Sequence, residues 1–217
     1  FAFTAMSNAL GTLTPVKELV EVAHANGSLA LVDGAQWVPH LKTDVQAWGC
    51  DFLAFSGHKM LGPTGVGFLY GRPEVLETMD PFMGGGGMIS EVWFERSTWN
   101  TVPQRFEAGT PAIADCAAFG AAVDYLEACG LDAVHEHEMA LTAKLLDILR
   151  AEEGVTVYGP ADISQRGGVV SFNVAGVHPH DVVSRLPAGR GDADGDPEGG
   201  ANHRGIGRVG GHRAHLV

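Results

Sequence analysis

The chain has 217 residues, 45% of them apolar, and a formal net charge of -12. That length suits one core, or one and a half domains, and the acidity argues against nucleic acid and anionic membrane as partners. No apolar run approaches the roughly 20 residues needed to span a bilayer. Cys50, Cys116 and Cys129 lie far apart in no metal or disulfide pattern, so reduced thiols in a cytoplasmic protein are expected.

Phe1 opens in an apolar segment, Phe-Ala-Phe-Thr, as if the chain began in mid-strand, and a loop, Met6 to Thr12, follows. Thr14-Pro15 predicts a helix start, with Thr14 as N-cap and Pro15 in the first turn. Val16, Leu19, Val20 and Ala23 then recur at helical spacing until Gly27 closes the helix in a left-handed position. Leu29 to Val32 reads as a strand buried on both faces and ends in the turn Asp33-Gly34-Ala35-Gln36. Asp51 to Phe55 repeats that pattern and ends in Ser56-Gly57-His58-Lys59; Gly65 to Tyr70 is a third strand.

Residues 81–110 are irregular, with Gly84 to Gly87 in a row and several aromatics, an excursion expected to cover a site or an interface. Ala112 to Ala128 predicts a small-residue, buried helix, and Leu131 to Glu152 a longer amphipathic one. His135 and His137 alternate with Glu136 and Glu138 on that second helix and read as a solvated face. Val155 to Tyr158 and Val169 to Val174 follow as strands, and His178-Pro179-His180-Asp181 begins another helix.

Strands alternating with helices point to an α/β fold with a mostly parallel sheet. The predicted organisation is a cofactor-binding large domain over 1–128, the start of a small α+β domain over 129–186, and a tail over 187–217. The tail has no aromatic residue and no periodicity, and it is rich in Gly, Arg, Ala, Asp, Pro and His. It is expected to be unstructured and, from residues favoured by G/C-rich codons, read out of frame. His203, His212 and His215 fall in it without the spacing of a metal site, and no metal is expected.

The two polar turns carry the chemistry. Both follow apolar strands, and in open α/β sheets ligands bind outside the carboxyl ends of strands. One crevice would then gather a carboxylate, an amide, a hydroxyl, an imidazole and a lysine. That set suits pyridoxal 5'-phosphate (PLP): a lysine for the Schiff base, a carboxylate for the pyridine nitrogen, and hydroxyl and imidazole for the phosphate. Each turn taken alone is also an ordinary polar loop.

The residues from Leu31 to Gln36 and from Phe55 to Gly71 resemble the group II (SufS-like) cysteine desulfurases and selenocysteine lyases of the class V aminotransferase superfamily. The likeness continues through Met83 to Ile89, Arg105 to Pro111, Val157 to Pro160 and His178 to Val182. It implies part of a PLP fold-type I large domain followed by the start of a small domain, in a homodimer. It further implies L-cysteine or selenocysteine as substrate, sulfur leaving as a persulfide to an acceptor protein, and a place in sulfur mobilisation and iron–sulfur cluster assembly.

By the same resemblance Lys59 is the catalytic lysine that binds the cofactor, Asp33 pairs with the pyridine nitrogen and Gln36 with the ring hydroxyl. Ser56 and His58 hold the phosphate, Thr110 reaches the phosphate of the neighbouring subunit, and Asn8 approaches the substrate carboxylate and the ring hydroxyl. The family's amino-terminal half and its Arg-Thr-Gly-His-His-Cys loop, whose cysteine accepts the sulfur, have no counterpart here. Cys50, Cys116 and Cys129 each read as small core residues. An epimerase or aminotransferase of the same fold, or a non-catalytic remnant, are the competing readings.

Overall fold

The structure, a computed structural model, describes residues 1–185 together with 206–209 and 212–216. Contacts divide the chain into two compact units: Phe1–Thr4, Pro15–Pro39 and Thr43–Cys129 form the first, and Ala5–Thr14, His40–Lys42 and Gly130–Val217 the second. Expectation had put all of 1–128 in one domain. Two short segments group otherwise: Gly11 and Thr12 are held by the backbone of Gly167 and Arg166, and His40 and Lys42 pair with Glu138 and Asp132.

In the first unit, β1 (Ala2–Thr4), β2 (Leu31–Asp33), β3 (Phe52–Ser56) and β4 (Gly67–Gly71) make one sheet in that order. The β1–β2 and β2–β3 pairs are parallel, and β4 runs antiparallel to β3. A parallel pair requires a crossover, and helix α1 (Val16–Ala25) supplies it between β1 and β2. It buries Val16, Val20 and Ala23, a stripe at helical spacing. The helix starts one residue later than predicted, with Pro15 at the N-cap and no side-chain cap. Gly27 is left-handed as expected (φ 68°), and the amide of Ser28 returns to the Ala23 carbonyl at 3.0 Å.

The short helices α2 (Val45–Trp48) and α3 (Pro73–Leu76) precede β3 and follow β4. Part of the 81–110 excursion is ordered as a β5–β6 hairpin (Ile89–Val92, Ser97–Trp99). Its surroundings expose Phe82 and Phe94, the latter fully.

Helix α4 (Ile113–Cys129) corrects the sequence reading. Only Phe119, Ala122 and Leu126 are buried along it. Small apolar residues predominate along the helix and few charges interrupt them, so composition alone suggested burial, yet the described neighbours cover only one stripe. Cys116 and Cys129 are consequently exposed, and of the three cysteines expected in the core only Cys50 is buried.

The second unit packs α5 (Leu131–Ala151) on a sheet of order β7 (Val155–Tyr158), β8 (Val169–Val174), β10 (His212–Leu216), β9 (Ile206–Val209). Phe172 centres its core among Leu149, Val155, Val157, Val174 and Val182. Val182 comes from α6 (Pro179–Arg185).

The expectation of an unstructured tail fails at the last two strands. Strand β8 offers an edge whose backbone groups need partners, and β10 pairs with it in parallel while β9 pairs antiparallel to β10. The intervening Gly210-Gly211 is a two-residue hairpin signal that the compositional reading passed over. Residues 186–205 lie outside the described residues. No helix among the described residues is long and apolar enough to cross a membrane.

Candidate active site at the ends of β2 and β3

Strands β2 and β3 lie parallel with Asp33 opposite Ala54. Adjacent strands are separated by about 4.8 Å, so the Asp33–Gln36 and Ser56–Lys59 turns emerge side by side at one edge of the sheet. The Gly34 amide donates to the Ala54 carbonyl at 2.8 Å, which ties the first turn to the strand leading to the second. A Cβ at Gly34 would stand 2.7 Å from a Leu53 methyl, so a side chain there would separate the two strands' turns.

Asp33 is exposed, and its Oδ1 accepts from the Ala35 amide at 2.9 Å. Gln36 is different. Its side chain is buried, and Nε2 is a donor with no hydrogen-bond partner. A buried amide without a partner costs on the order of 1–3 kcal/mol, so Gln36 Nε2 is poised for an acceptor that the protein itself does not supply.

Ser56 ends β3 in extended conformation (φ −114°, ψ 134°), and its hydroxyl does not cap the 3₁₀ turn Gly57–Met60 that follows. His58 is exposed and Lys59 half-buried on that turn. The Gly57 amide donates to the Val66 carbonyl at 2.9 Å, and the Gly62 amide to the Gly57 carbonyl at 3.0 Å, closing the base of the loop. Leu61 has φ 63°, the one positive value at a non-glycine among the described residues. Such strain is held only where the surroundings over-determine it, and it gathers at functional sites.

Phe119 of α4 supplies that support. Its ring lies against the positions a side chain would take at Gly57 and Gly62, and it packs on Phe68 with ring centres 4.6 Å apart. Phe68 in turn stacks on Phe55 at 5.2 Å. Sequence reasoning missed Phe119; the available signal was one aromatic ring in the small-residue first half of its helix.

The remaining expected residues stand elsewhere. Thr110 is exposed on the loop between Gly109 and α4. Asn8 is exposed on the Ser7–Gly11 turn of the second unit. The sheet itself therefore brings together Asp33, Gln36, Ser56, His58 and Lys59, while Thr110 and Asn8 enter the set only through resemblance.

Two charged clusters lie outside the set. Asp51, at the opposite end of β3, is buried and accepts from the Ala30 amide (2.7 Å) and His24 Nε2 (2.8 Å), with Arg72 at 3.3 Å. Burial alone raises its carboxyl, but these partners outweigh it and hold the pKa below the usual range. On α5, Glu138 is no solvated residue as expected: Oε1 is bonded to His40 Nδ1 at 2.6 Å, and Oε2 is buried without a partner. Among the described residues no three His, Cys, Asp or Glu side chains gather as a metal site.

The family model described as Aminotransferase class-V matches residues 1–190. The chain belongs to that family. A probable cysteine desulfurase of Halalkalibacterium halodurans is 54% identical over 190 residues, covering 88% of this chain and 45% of the relative. The crystal structure of the Escherichia coli cysteine desulfurase CsdA is similar with TM-score 0.79 and 37% identity over 84% of this chain and 45% of that one. A C-DES structure with glycine covalently linked to the PLP cofactor has TM-score 0.72 and 26% identity, over 84% of this chain and 49% of that one. The chain thus spans about half the length of the proteins it matches.

Proposed function

We propose that the chain is part of a PLP-dependent cysteine desulfurase, with Lys59 the residue that binds the cofactor. The observation that carries this reading is the pairing of the Ser56–Lys59 turn with the Asp33–Gln36 turn across a parallel strand pair, in a family whose similar members are named cysteine desulfurases. The residues fit the cofactor: the buried, partnerless Gln36 Nε2 requires an acceptor, and a ring hydroxyl provides one.

Asp33 would accept from the protonated pyridine nitrogen and hold its charge. Ser56 and His58 would donate to the phosphate, and Thr110 would do so toward a neighbouring subunit. Bound PLP supplies an electron sink for the negative charge that develops beside the substrate amine. Lys59 Nζ then has two tasks, holding the cofactor and moving a proton to and from the substrate carbon. Asn8 would bind the substrate carboxylate.

The overall reaction breaks the C–S bond of L-cysteine and the S–H bond of an accepting thiol, and forms a C–H bond in L-alanine and the S–S bond of a persulfide, so atoms and electrons balance without an external oxidant. The accepting group must be a thiolate. Cys50 is buried, and burial pushes its thiol up. Cys116 and Cys129 lie on α4, and none of the three stands on either turn. The 217 residues alone are accordingly proposed to bind the cofactor without desulfurase turnover.

A homodimer, a sulfur-acceptor protein, a role in iron–sulfur cluster assembly and a cytoplasmic location complete the reading. Exposed Phe82, Val92 and Phe94 in the 81–110 excursion support a second copy. An absorbance scan with PLP, before and after L-cysteine, tests the core of the proposal. A lysine-bound cofactor band that shifts with cysteine is expected, and its persistence in Lys59→Ala would refute the assignment.

A further inference from the structure

The turn that carries Asn8 is fastened to the second unit. Met6 and Leu13 face each other across an antiparallel bridge. Within the turn, the Ser7 amide donates to the Thr12 carbonyl (2.9 Å) and the Gly11 amide to the Ser7 carbonyl (3.0 Å). The Ser7 hydroxyl accepts from the Leu10 amide at 3.0 Å and from the Ala9 amide at 3.3 Å. Asn8 is thereby presented, exposed, at the tip.

Two backbone bonds join the turn's far strand to the unit: the Leu13 amide to the Gln165 carbonyl (2.9 Å) and the Gly167 amide to the Gly11 carbonyl (2.8 Å). Gly11 is left-handed (φ 70°), and a Cβ there would lie 2.8 Å from the Val169 carbonyl. The platform beneath is stiff. Arg166 is buried and donates to the carbonyls of Pro160 (2.9 Å), Val169 (2.9 Å) and Tyr158 (3.3 Å). From β8, the fully buried Ser171 donates its hydroxyl to the carbonyl of Ala9, the residue that follows Asn8.

We propose that Ser171 is a positioning residue for the amino-acid substrate: by holding the Ala9 carbonyl it fixes the tip of the turn and hence the Asn8 side chain. This rests on the reading of Asn8 as a substrate contact. The backbone bonds to the unit are made at Gly11 and Leu13; over Asn8–Ala9–Leu10 the Ser7 hydroxyl holds the Ala9 and Leu10 amides from within the turn, and the Ser171 hydroxyl ties the Ala9 carbonyl to β8. A purely structural Ser171 would affect stability and leave substrate affinity unchanged.

The test uses the full-length, PLP-loaded protein with variants Asn8→Ala, Ser171→Ala, Ser171→Thr and Ser171→Cys. Amide hydrogen exchange reads the turn in the cofactor-free form, and spectral titration with L-alanine reads amino-acid affinity in the loaded form. Ser171→Ala should speed exchange at Leu10 and Gly11 on the order of tenfold, the loss of one buried hydrogen bond, with the β7–β8 amides unchanged. It should weaken L-alanine binding to the same degree as Asn8→Ala, and the double variant should be no weaker than either single one. Ser171→Thr should restore both readouts.

If Ser171→Ala fails to fold, Ser171→Cys keeps the shape with a weak donor and should show the same pattern at smaller amplitude. Asn8→Ala weakening L-alanine while the Ser171 variants leave it unchanged would overturn the proposal. Asn8→Ala without effect would instead sink the reading of Asn8 and, with it, the substrate consequence. Unchanged exchange at Leu10 and Gly11 would independently show that Ser171 does not fix the turn.

Discussion

Replacing Asp51 by alanine should destabilise the first unit by about 3 kcal/mol, at the low end of the range for breaking a buried ion pair. The end of the range follows from the partners. His24 and Arg72 have side chains 37% and 36% exposed, so both regain water when the carboxylate is removed. The Ala30 amide cannot, because Ala30 is wholly buried, and an unsatisfied buried donor costs about 1–3 kcal/mol. The remainder is the lost charge-assisted bond to His24.

The pH dependence has a definite sign. The folded Asp51 pKa lies below its ordinary value, so the contribution is present above the unfolded pKa of about 3.9 and is lost as pH falls through the folded value. Urea unfolding followed by circular dichroism, on wild type and Asp51→Ala, should therefore show a gap that is full at pH 7 and narrows as pH drops below about 4. Taking the difference between the two proteins removes other carboxylates, including Asp162, which is also held low by the Ser164 amide and hydroxyl. A gap under about 0.5 kcal/mol at pH 7, or one that widens in acid, would refute the reasoning.

Borohydride reduction of the PLP-loaded protein followed by peptide mapping should label Lys59; a label on Lys17, Lys42 or Lys144 would refute the assignment. Gly57→Ala should cost about 1–3 kcal/mol and release the cofactor, since its Cβ would meet Val66 Cγ1 at 2.7 Å and the Val66 carbonyl at 2.9 Å; unchanged PLP affinity measured by equilibrium dialysis would contradict this. The 217-residue chain should release no more alanine from L-cysteine than free PLP does, and sustained product in an amino-acid analysis would show that one of its own cysteines serves. Reading the coding DNA near codon 186 should recover, in another frame, an Arg-Thr-Gly-His-His-Cys-like loop; its absence from every frame would make residues 187–217 a true tail.

Much of the molecule was legible because it is decided locally. The apolar run at Phe52, ending in a polar turn, announces a buried strand by composition, and the edge at which the carboxyl ends of β2 and β3 open follows from the crossover rule; the run read from Leu29 as buried on both faces instead buries Ala30 and Val32 and leaves Leu29 exposed, because the strand covers only Leu31–Asp33. The strands Val155–Tyr158 and Val169–Val174 carry their bounds in their β-branched residues. The turns holding Asp33, Gln36, Ser56, His58 and Lys59 were visible for the same reason: polar residues directly after buried strands need a task or a partner.

What only the tertiary structure decided are the relations between residues distant in sequence. The antiparallel direction of β4 depends on the loop closing at Gly57 and Val66. The Asp51–His24–Arg72 cluster joins a strand start, a helix end and the residue after β4, and no spacing encodes it. The mostly small, apolar composition of α4 marks no single face for burial, and which stripe is covered depends on where Phe119 meets the lysine loop. Likewise the Asn8 turn is tied to β8 by one hydroxyl 162 residues away. A chain's sequence records local preference and period; which surfaces meet, and which buried polar atoms find partners, is settled when the chain packs.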